Sequence, residues 1–254
     1  MAASFRDRLR AGSPSLAAWC GISEPGIAGL LAREDFDAVV LDMQHGAIDF
    51  AATVRALPLI AAAGKPAVAR IPVGEFATAS RLLDAGASAV IAPMINTLED
   101  ARRFGSFMKY PPIGERSWGP HGALAVSGLQ PGDYFLQGNG LTAAFAMIET
   151  AAALSIVDEI LAEPGIDGVF VGPADLSIAL FDGKRLDAEA PEVDRALDHV
   201  LARARAAGKL AAVYSATGER AAAMVRKGFD LVAVGSDTAM LRLGAQASLK
   251  TARG

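Results

Sequence analysis

Short apolar runs of strand length recur along the chain, and between them lie longer stretches in which Ala, Leu, Arg and Glu repeat at helical spacing. The runs at 16–21, 38–42, 67–70, 89–93, 144–148, 168–171, 210–213 and 231–234 are predicted strands. The stretches at 75–85, 97–108, 151–162, 192–207 and 220–227 are rich in good helix formers. Gly86, Gly208 and Gly228 each come just past such a stretch, where a helix ending in a left-handed turn takes glycine. This alternation means parallel strands joined by helical crossovers, and eight strands close a (β/α)8 barrel of roughly 250 residues. The predicted fold class is therefore α/β, a TIM barrel forming a single domain over residues 1–254.

An open doubly wound sheet is the competing architecture. A glycine-rich dinucleotide fingerprint after the first strand would favour it, but the turn there reads Gly21-Ile22-Ser23-Glu24-Pro25-Gly26. The one departure from regular alternation is 110–140, heavy in Gly and Pro and predicted as a long loop of the kind used in function or assembly.

Composition narrows the partners. With 52% apolar and 20% charged residues the chain can bury a large core. A formal charge of -4 without a dense Lys/Arg block argues against nucleic acid or an anionic membrane as partner, and leaves small molecules. The apolar run at 51–63 is interrupted by Arg55 and Pro58 and falls short of the ~20 residues of a membrane span. No signal-type apolar stretch follows Arg6, Asp7, Arg8 and Arg10, so a cytoplasmic protein is expected. The single cysteine, Cys20, excludes an intrachain disulfide and a cysteine-held zinc or iron–sulfur centre, and its apolar surroundings predict a buried structural thiol.

In a barrel, polar residues at the C-terminal ends of strands face the active-site mouth. Four predicted strands end in charge, at LDMQHG (41–46), VARIP (68–72), MIET (147–150) and VGPADLS (171–177). Glu149 and Asp175 follow strands five and six, so a barrel sets them side by side, and two hard carboxylates without nearby cysteine suit Mg²⁺ or Mn²⁺. Each alone is also an ordinary helix-start acid. Gly172, Pro173 and Ala174 lead into the next helix, whose free N–H groups can take a substrate carboxylate. Arg70 closes an apolar strand and offers a fixed cation to an enolate oxygen, or a salt bridge at the rim. His45, three residues after Asp42, is a candidate general acid or base, either partner orienting the other. His121 and His199 are expected to face solvent.

FDAVVLDMQHGAIDF (36–50), GASAVIAPMINTLEDARR (86–103), YPPIGERSWG (110–119) and GIDGVFVGPADLS (165–177) resemble, in order and over nearly the whole chain, the HpcH/HpaI family of metal-dependent 2-oxo-acid aldolases. That family includes 4-hydroxy-2-oxo-heptanedioate aldolase and 2-dehydro-3-deoxyglucarate aldolase; YPPxGER together with GPADLS carries the specificity of the match. The resemblance implies a phosphoenolpyruvate/pyruvate-type barrel and a class II reaction, the reversible cleavage of a 4-hydroxy-2-oxo acid to pyruvate, or a related 2-oxo acid, and an aldehyde. It implies that Glu149 and Asp175 hold Mg²⁺ or Mn²⁺, with Co²⁺ a further option, that Arg70 stabilises the enolate oxygen, and that His45 with Asp42 handles protons. It also implies a homohexamer in which Asp84 reaches a neighbouring subunit's site, although in LLDAGA that residue equally reads as a plain surface acid.

Two positions depart from the family pattern. Met147 stands where a glutamine is usual, which puts hydrogen bonding beside the metal glutamate in doubt, and Trp118 stands where smaller residues are common, either narrowing the mouth or packing on a neighbour. An imine-forming aldolase needs a lysine in the mouth, and Lys65, Lys109, Lys184 and Lys209 all fall away from the strand ends. The remaining alternatives are a coenzyme A ester lyase of the citrate-lyase type and a catalytically inactive barrel.

Overall fold

A computed structural model describes residues 4–254; the first three residues of the expected domain lie outside the described residues. The strands are β1 (Ser15–Cys20), β2 (Ala38–Asp42), β3 (Ala67–Arg70), β4 (Ala89–Ala92), β5 (Ala143–Ile148), β6 (Gly168–Val171), β7 (Leu210–Ser215) and β8 (Leu231–Val234). They close, all parallel and in sequence order, into a barrel in which β8 pairs with β1. The open-sheet alternative is thereby excluded. Around the barrel run α1 (Phe5–Arg10), α2 (Pro25–Leu31), α3 (Phe50–Ala62), α4 (Phe76–Ala85), α5 (Leu98–Met108), α6 (His121–Ser127), α7 (Pro131–Leu141), α8 (Ala151–Ser155), α9 (Val157–Ala162), α10 (Pro173–Leu180), α11 (Pro191–Ala206), α12 (Gly218–Lys227) and α13 (Asp237–Arg253). None of these helices is long and apolar enough to cross a membrane.

Because successive strand residues point to opposite faces, each strand splits its side chains between two cores. Val39 and Leu41 pack outward under the helices, and Ala38 and Val40 point into the barrel with Trp19, Val68, Ile91, Phe145, Met147 and Phe170. Alanine fills many of the interior positions, leaving room for the aromatic rings opposite. Phe5 and Leu9 of α1 belong to the same interior cluster and stopper the barrel at its N-terminal end. Cys20 is buried, and burial above all pushes its thiol far up, so it is inert.

The stretch at 110–140 is not the continuous loop that its Gly and Pro content predicts. It holds α6 and α7, because those residues punctuate the helices instead of preventing them: Gly128 ends α6 in the left-handed conformation, and Pro131 occupies the first turn of α7, where its missing N–H costs nothing. Tyr110, Ala123 and Tyr134 pack together beneath the pair. The stretch at 151–162 is interrupted at Ile156 and forms two short helices, α8 and α9. Gly86 and Gly228 are left-handed caps as expected, and Gly208 lies one residue beyond its helix cap, Ala207.

Helix α13 departs from barrel regularity. Beyond its first turn its residues are exposed, including Leu241 and Leu243, both 65% exposed, while the outward positions Leu16 of β1 and Val234 of β8 are only half covered.

At the N-terminal end Asp167 accepts from Lys109 Nζ (2.6 Å), from Arg6 (2.9 Å) and from the backbone N–H of Ala144 (2.9 Å), tying α5, α1 and β5 to the foot of β6. Lys109 is fully buried, so removing its partner strands a cation in the core. Asp167→Ala is expected to cost about 3–5 kcal/mol and, in a chain of this size, to lower Tm by roughly 6–20 °C. A calorimetric melt within a degree or two of wild type would contradict this.

Candidate active site

The register of β2 and β3 sets Asp42 directly beside Arg70. Their side chains form a two-pronged pair inside the mouth: Arg70 Nε donates to Asp42 Oδ1 at 2.8 Å and Nη2 to Oδ2 at 2.6 Å. The indole N–H of Trp19 donates to the same Oδ2 at 3.1 Å, and its ring lies 4.8 Å below the guanidinium. The backbone N–H groups of Gln44 and His45 donate to Oδ1. Burial opposes ionisation of Asp42, yet Arg70 and these donors together hold its carboxyl below the usual carboxylate range. Arg70 is thus a fixed cation with one edge clamped.

This arrangement corrects the expected Asp42–His45 couple. Both carboxylate oxygens of Asp42 serve Arg70, Trp19 and backbone N–H groups, and only the main chain of His45 reaches them. Three residues after the strand end the chain is already turning, so the imidazole stands exposed at the cavity mouth, with no hydrogen-bond partner among the described residues.

Glu149 lies one residue past β5 and is 1% exposed. Its Oε1 accepts from the Met94 N–H at 2.7 Å, a bond that accompanies a left-handed backbone at Met94 (φ 54°), a conformation costing about 1–3 kcal/mol for a residue other than glycine. Its Oε2 is buried without a partner. A Cβ on Gly172 would come within 2.8 Å of that oxygen and 3.0 Å of the Met147 methyl, so the absent side chain keeps a notch open beside the glutamate. Burial foremost, and then the charge of Asp175, push the Glu149 carboxyl up against the opposing pull of the Met94 N–H and Arg70. Asp175 sits exposed in the first turn of α10 and lines the cavity at the mouth, whereas Glu149 lies buried behind its wall. No group of three or more His, Cys, Asp or Glu placed to hold a metal ion gathers among the described residues.

The cavity occupies about 560 Å³ at the C-terminal mouth, bounded by His45, Arg70 and Asp175 and by Gly172, Pro173 and Ala174 at the start of α10. Pro173 contributes shape only, having no N–H, so the N–H groups of Ala174 and Asp175 are the ones left free for an anion. No lysine lines the cavity. Trp19, Phe170, Met147 and Tyr214 form its apolar floor, and Asp237 buttresses one side by accepting from the N–H groups of Gly21 and Ile22. Sequence reasoning overlooked Trp19, Tyr214 and Asp237. The inward parity of β1 and β7 carries a signal for the first two; Asp237, a helix-start acid after β8, carries none. Asp84 does not reach this cavity: it sits at the far end of α4, bonded at 2.7 Å to Arg116, whose side chain is wholly buried over the Tyr110 ring. Trp118 stacks with Tyr110, Tyr134 and Phe135, also away from the mouth.

A closed parallel barrel whose C-terminal mouth carries a clamped guanidinium and two carboxylates belongs to the enzymes that build their sites from strand ends. The family model described as HpcH/HpaI aldolase/citrate lyase matches residues 16–243. The chain is 40% identical to a hydroxypyruvate/pyruvate aldolase of Rhizorhabdus wittichii, over 95% of each chain. It is 34% identical to a 4-hydroxy-2-oxo-heptane-1,7-dioate aldolase of Salmonella dublin, over 96% of this chain and 92% of that one. Among solved structures, an HpcH/HpaI aldolase/citrate lyase family protein from Burkholderia cenocepacia superposes with TM-score 0.87 at 30% identity, over 98% of each chain. The chain belongs to the HpcH/HpaI aldolase/citrate lyase family and is a carbon–carbon lyase of the class II aldolase type.

A carboxyl whose pKa is higher in the folded than in the unfolded chain favours the fold while protonated, and that contribution is lost as pH rises through the folded value. For Glu149 the loss begins above its ordinary 4.5. In chelator-treated protein Glu149→Gln is therefore expected to melt above wild type at neutral and alkaline pH, with the gap closing in mild acid. A lower melting temperature for the variant at neutral pH would contradict the assignment of an uncompensated buried charge.

Proposed function

We propose that the enzyme cleaves 4-hydroxy-2-oxo acids to pyruvate, or a related 2-oxo acid, and an aldehyde, and that it does so with a divalent cation held by Glu149 and Asp175. The observation that carries this reading is the unpartnered, buried Oε2 of Glu149 opening on the Gly172 notch, with Asp175 close enough to raise the same carboxyl. The donor set fits the cation: two hard carboxylate oxygens suit Mg²⁺ or Mn²⁺, with Co²⁺ as a further option, and leave positions for substrate and water. When bound, the cation supplies Lewis-acid polarisation of the substrate's keto group.

The chain's own residues do the rest. The free N–H groups of Ala174 and Asp175, at the positive end of α10, receive the substrate carboxylate. Arg70, its orientation fixed by Asp42 and Trp19, faces the oxygen on which negative charge develops as the carbon–carbon bond breaks, and it needs no rearrangement to do so. The His45 imidazole, at the mouth and without a hydrogen-bond partner among the described residues, takes the proton of the 4-hydroxyl and delivers it to the third carbon to complete pyruvate. The two transfers reverse in the synthetic direction. The role of Asp42 is to position Arg70. The relatives' names, which pair pyruvate with hydroxypyruvate or specify a 4-hydroxy-2-oxo diacid, support a small 2-oxo acid as one partner.

We also propose that the working form is a homo-oligomer, a hexamer, in which Asp84 acts at a neighbour's site. Its distance from its own cavity and the bare leucines of α13 support this. Sedimentation is expected to show an assembly of several chains, and a monomer at micromolar concentration would overturn the proposal.

The reaction is tested with chelator-stripped enzyme assayed for pyruvate release from a panel of 4-hydroxy-2-oxo acids, adding metals back singly. Mg²⁺ or Mn²⁺ is expected to restore turnover, and Glu149→Ala or Asp175→Ala to remove that rescue by about 100-fold or more. Full activity in both variants would overturn the ligand assignment.

A further inference from the structure

The strand register carries an unassigned side chain into the cavity. Ile148 of β5 pairs with Val171 of β6, and Val171 with Val213 of β7. The next residue on each strand is Glu149, Gly172 and Tyr214, and by the two-residue alternation all three face inward. Since Gly172 has no side chain, none stands between Tyr214 on β7 and Glu149 after β5 in this row. Its ring meets the Trp19 indole edge-on, with centroids 5.3 Å apart, and Trp19 in turn lies beneath Arg70. Tyr214 lines the cavity half-buried, and its hydroxyl has no hydrogen-bond partner among the described residues.

Nothing in the proposed reaction uses that hydroxyl. The remainder of the floor, Trp19, Phe170 and Met147, presents hydrocarbon, ring faces and a thioether, and the indole N–H is spent on Asp42. A substrate lying between the start of α10 and Arg70 lies over this floor. If its third carbon carries only hydrogen, the floor satisfies it. If that carbon carries a hydroxyl, the group loses water on entering and needs a partner, because an unpaired buried hydroxyl is costly. Tyr214 is the neutral floor residue able both to donate to it and to accept from it.

We propose that Tyr214 is a specificity-determining residue that hydrogen-bonds an oxygen substituent on the third carbon of the 2-oxo acid. This rests on the 2-oxo-acid reading given above. Ser23, Ser236 and Thr238 also bring hydroxyls to the cavity, from the segments past β1 and β8, whereas Tyr214 stands on the floor in the strand row of Glu149, so the discrimination is assigned to the phenol.

Tyr214→Phe removes the oxygen and keeps the ring on Trp19. Because the hydroxyl makes no bond within the protein, the variant is expected to melt with wild type, which separates recognition from folding. Two ratios are compared between wild type and Tyr214→Phe. One is kcat/KM with hydroxypyruvate against kcat/KM with pyruvate, each with the same aldehyde acceptor. The other is the pair of dissociation constants for the two acids, read from Trp19 fluorescence with both proteins carrying Trp118→Phe. Both ratios are expected to shift about tenfold against hydroxypyruvate in the variant. Unchanged ratios would overturn the assignment of Tyr214. Wild-type protein that binds the acids without turning them over would fault the aldolase reading, while the binding ratio would still decide the role of Tyr214.

Discussion

The pairing of Asp42 with Arg70 is the constraint from which the geometry of the mouth follows. A buried ion pair is a poor source of stability, since the cost of stripping water from both charges nearly cancels their attraction. Its worth here is directional. Two parallel N–H···O bonds, an indole N–H on the remaining lone pair and a ring beneath the guanidinium leave Arg70 one orientation. A single-point ammonium could swivel, and an unpaired guanidinium could lean out to water; a clamped fork does neither. The chemistry of a developing oxyanion demands a charge already in place, because reorganisation during the reaction would consume the stabilisation it provides.

That pair exists because of register. In a closed parallel barrel each inward residue has neighbours fixed on both sides, so a sequence need only put the right residue at the right parity on each strand. Asp42 and Arg70 are partners across β2 and β3, and Glu149, Gly172 and Tyr214 form the corresponding row across β5, β6 and β7. The middle member of that row is the one without a side chain, and the notch it leaves lies directly against the buried, unpartnered oxygen of Glu149. Glycine is required there for space and not for backbone freedom, since its φ of -99° is open to any residue.

Parity also explains what was legible in the sequence. Apolar runs followed by helical stretches revealed all eight strands, because a barrel stave is buried on both faces and reads as unbroken hydrophobicity. The charged residues at their ends, Asp42, Arg70, Glu149 and Asp175, stood out for the same reason. Trp19 and Tyr214 did not, since an aromatic residue in an apolar strand looks like core until the strand's phase is known. The Asp42–His45 couple was misread because spacing in a chain says nothing of where a turning backbone sends a ring, whereas cross-strand pairing of Asp42 with Arg70 is a nonlocal fact. The helices α6 and α7 were hidden because Gly and Pro mark a helix boundary as readily as a loop.

Stability and function are divided between the two ends of this barrel. At the N-terminal end charge is compensated: the Lys109 ammonium is buried, but Asp167 and the carbonyls of Asn139 and Thr142 surround it. At the C-terminal end the protein keeps a carboxylate whose second oxygen has no partner, and a left-handed Met94 whose N–H is turned onto the first. A sequence selected for stability alone would relieve both, with glycine at the turn and an uncharged residue in place of Glu149. Both costs fall on one carboxylate at the mouth, where a group bringing its own positive charge would offset them.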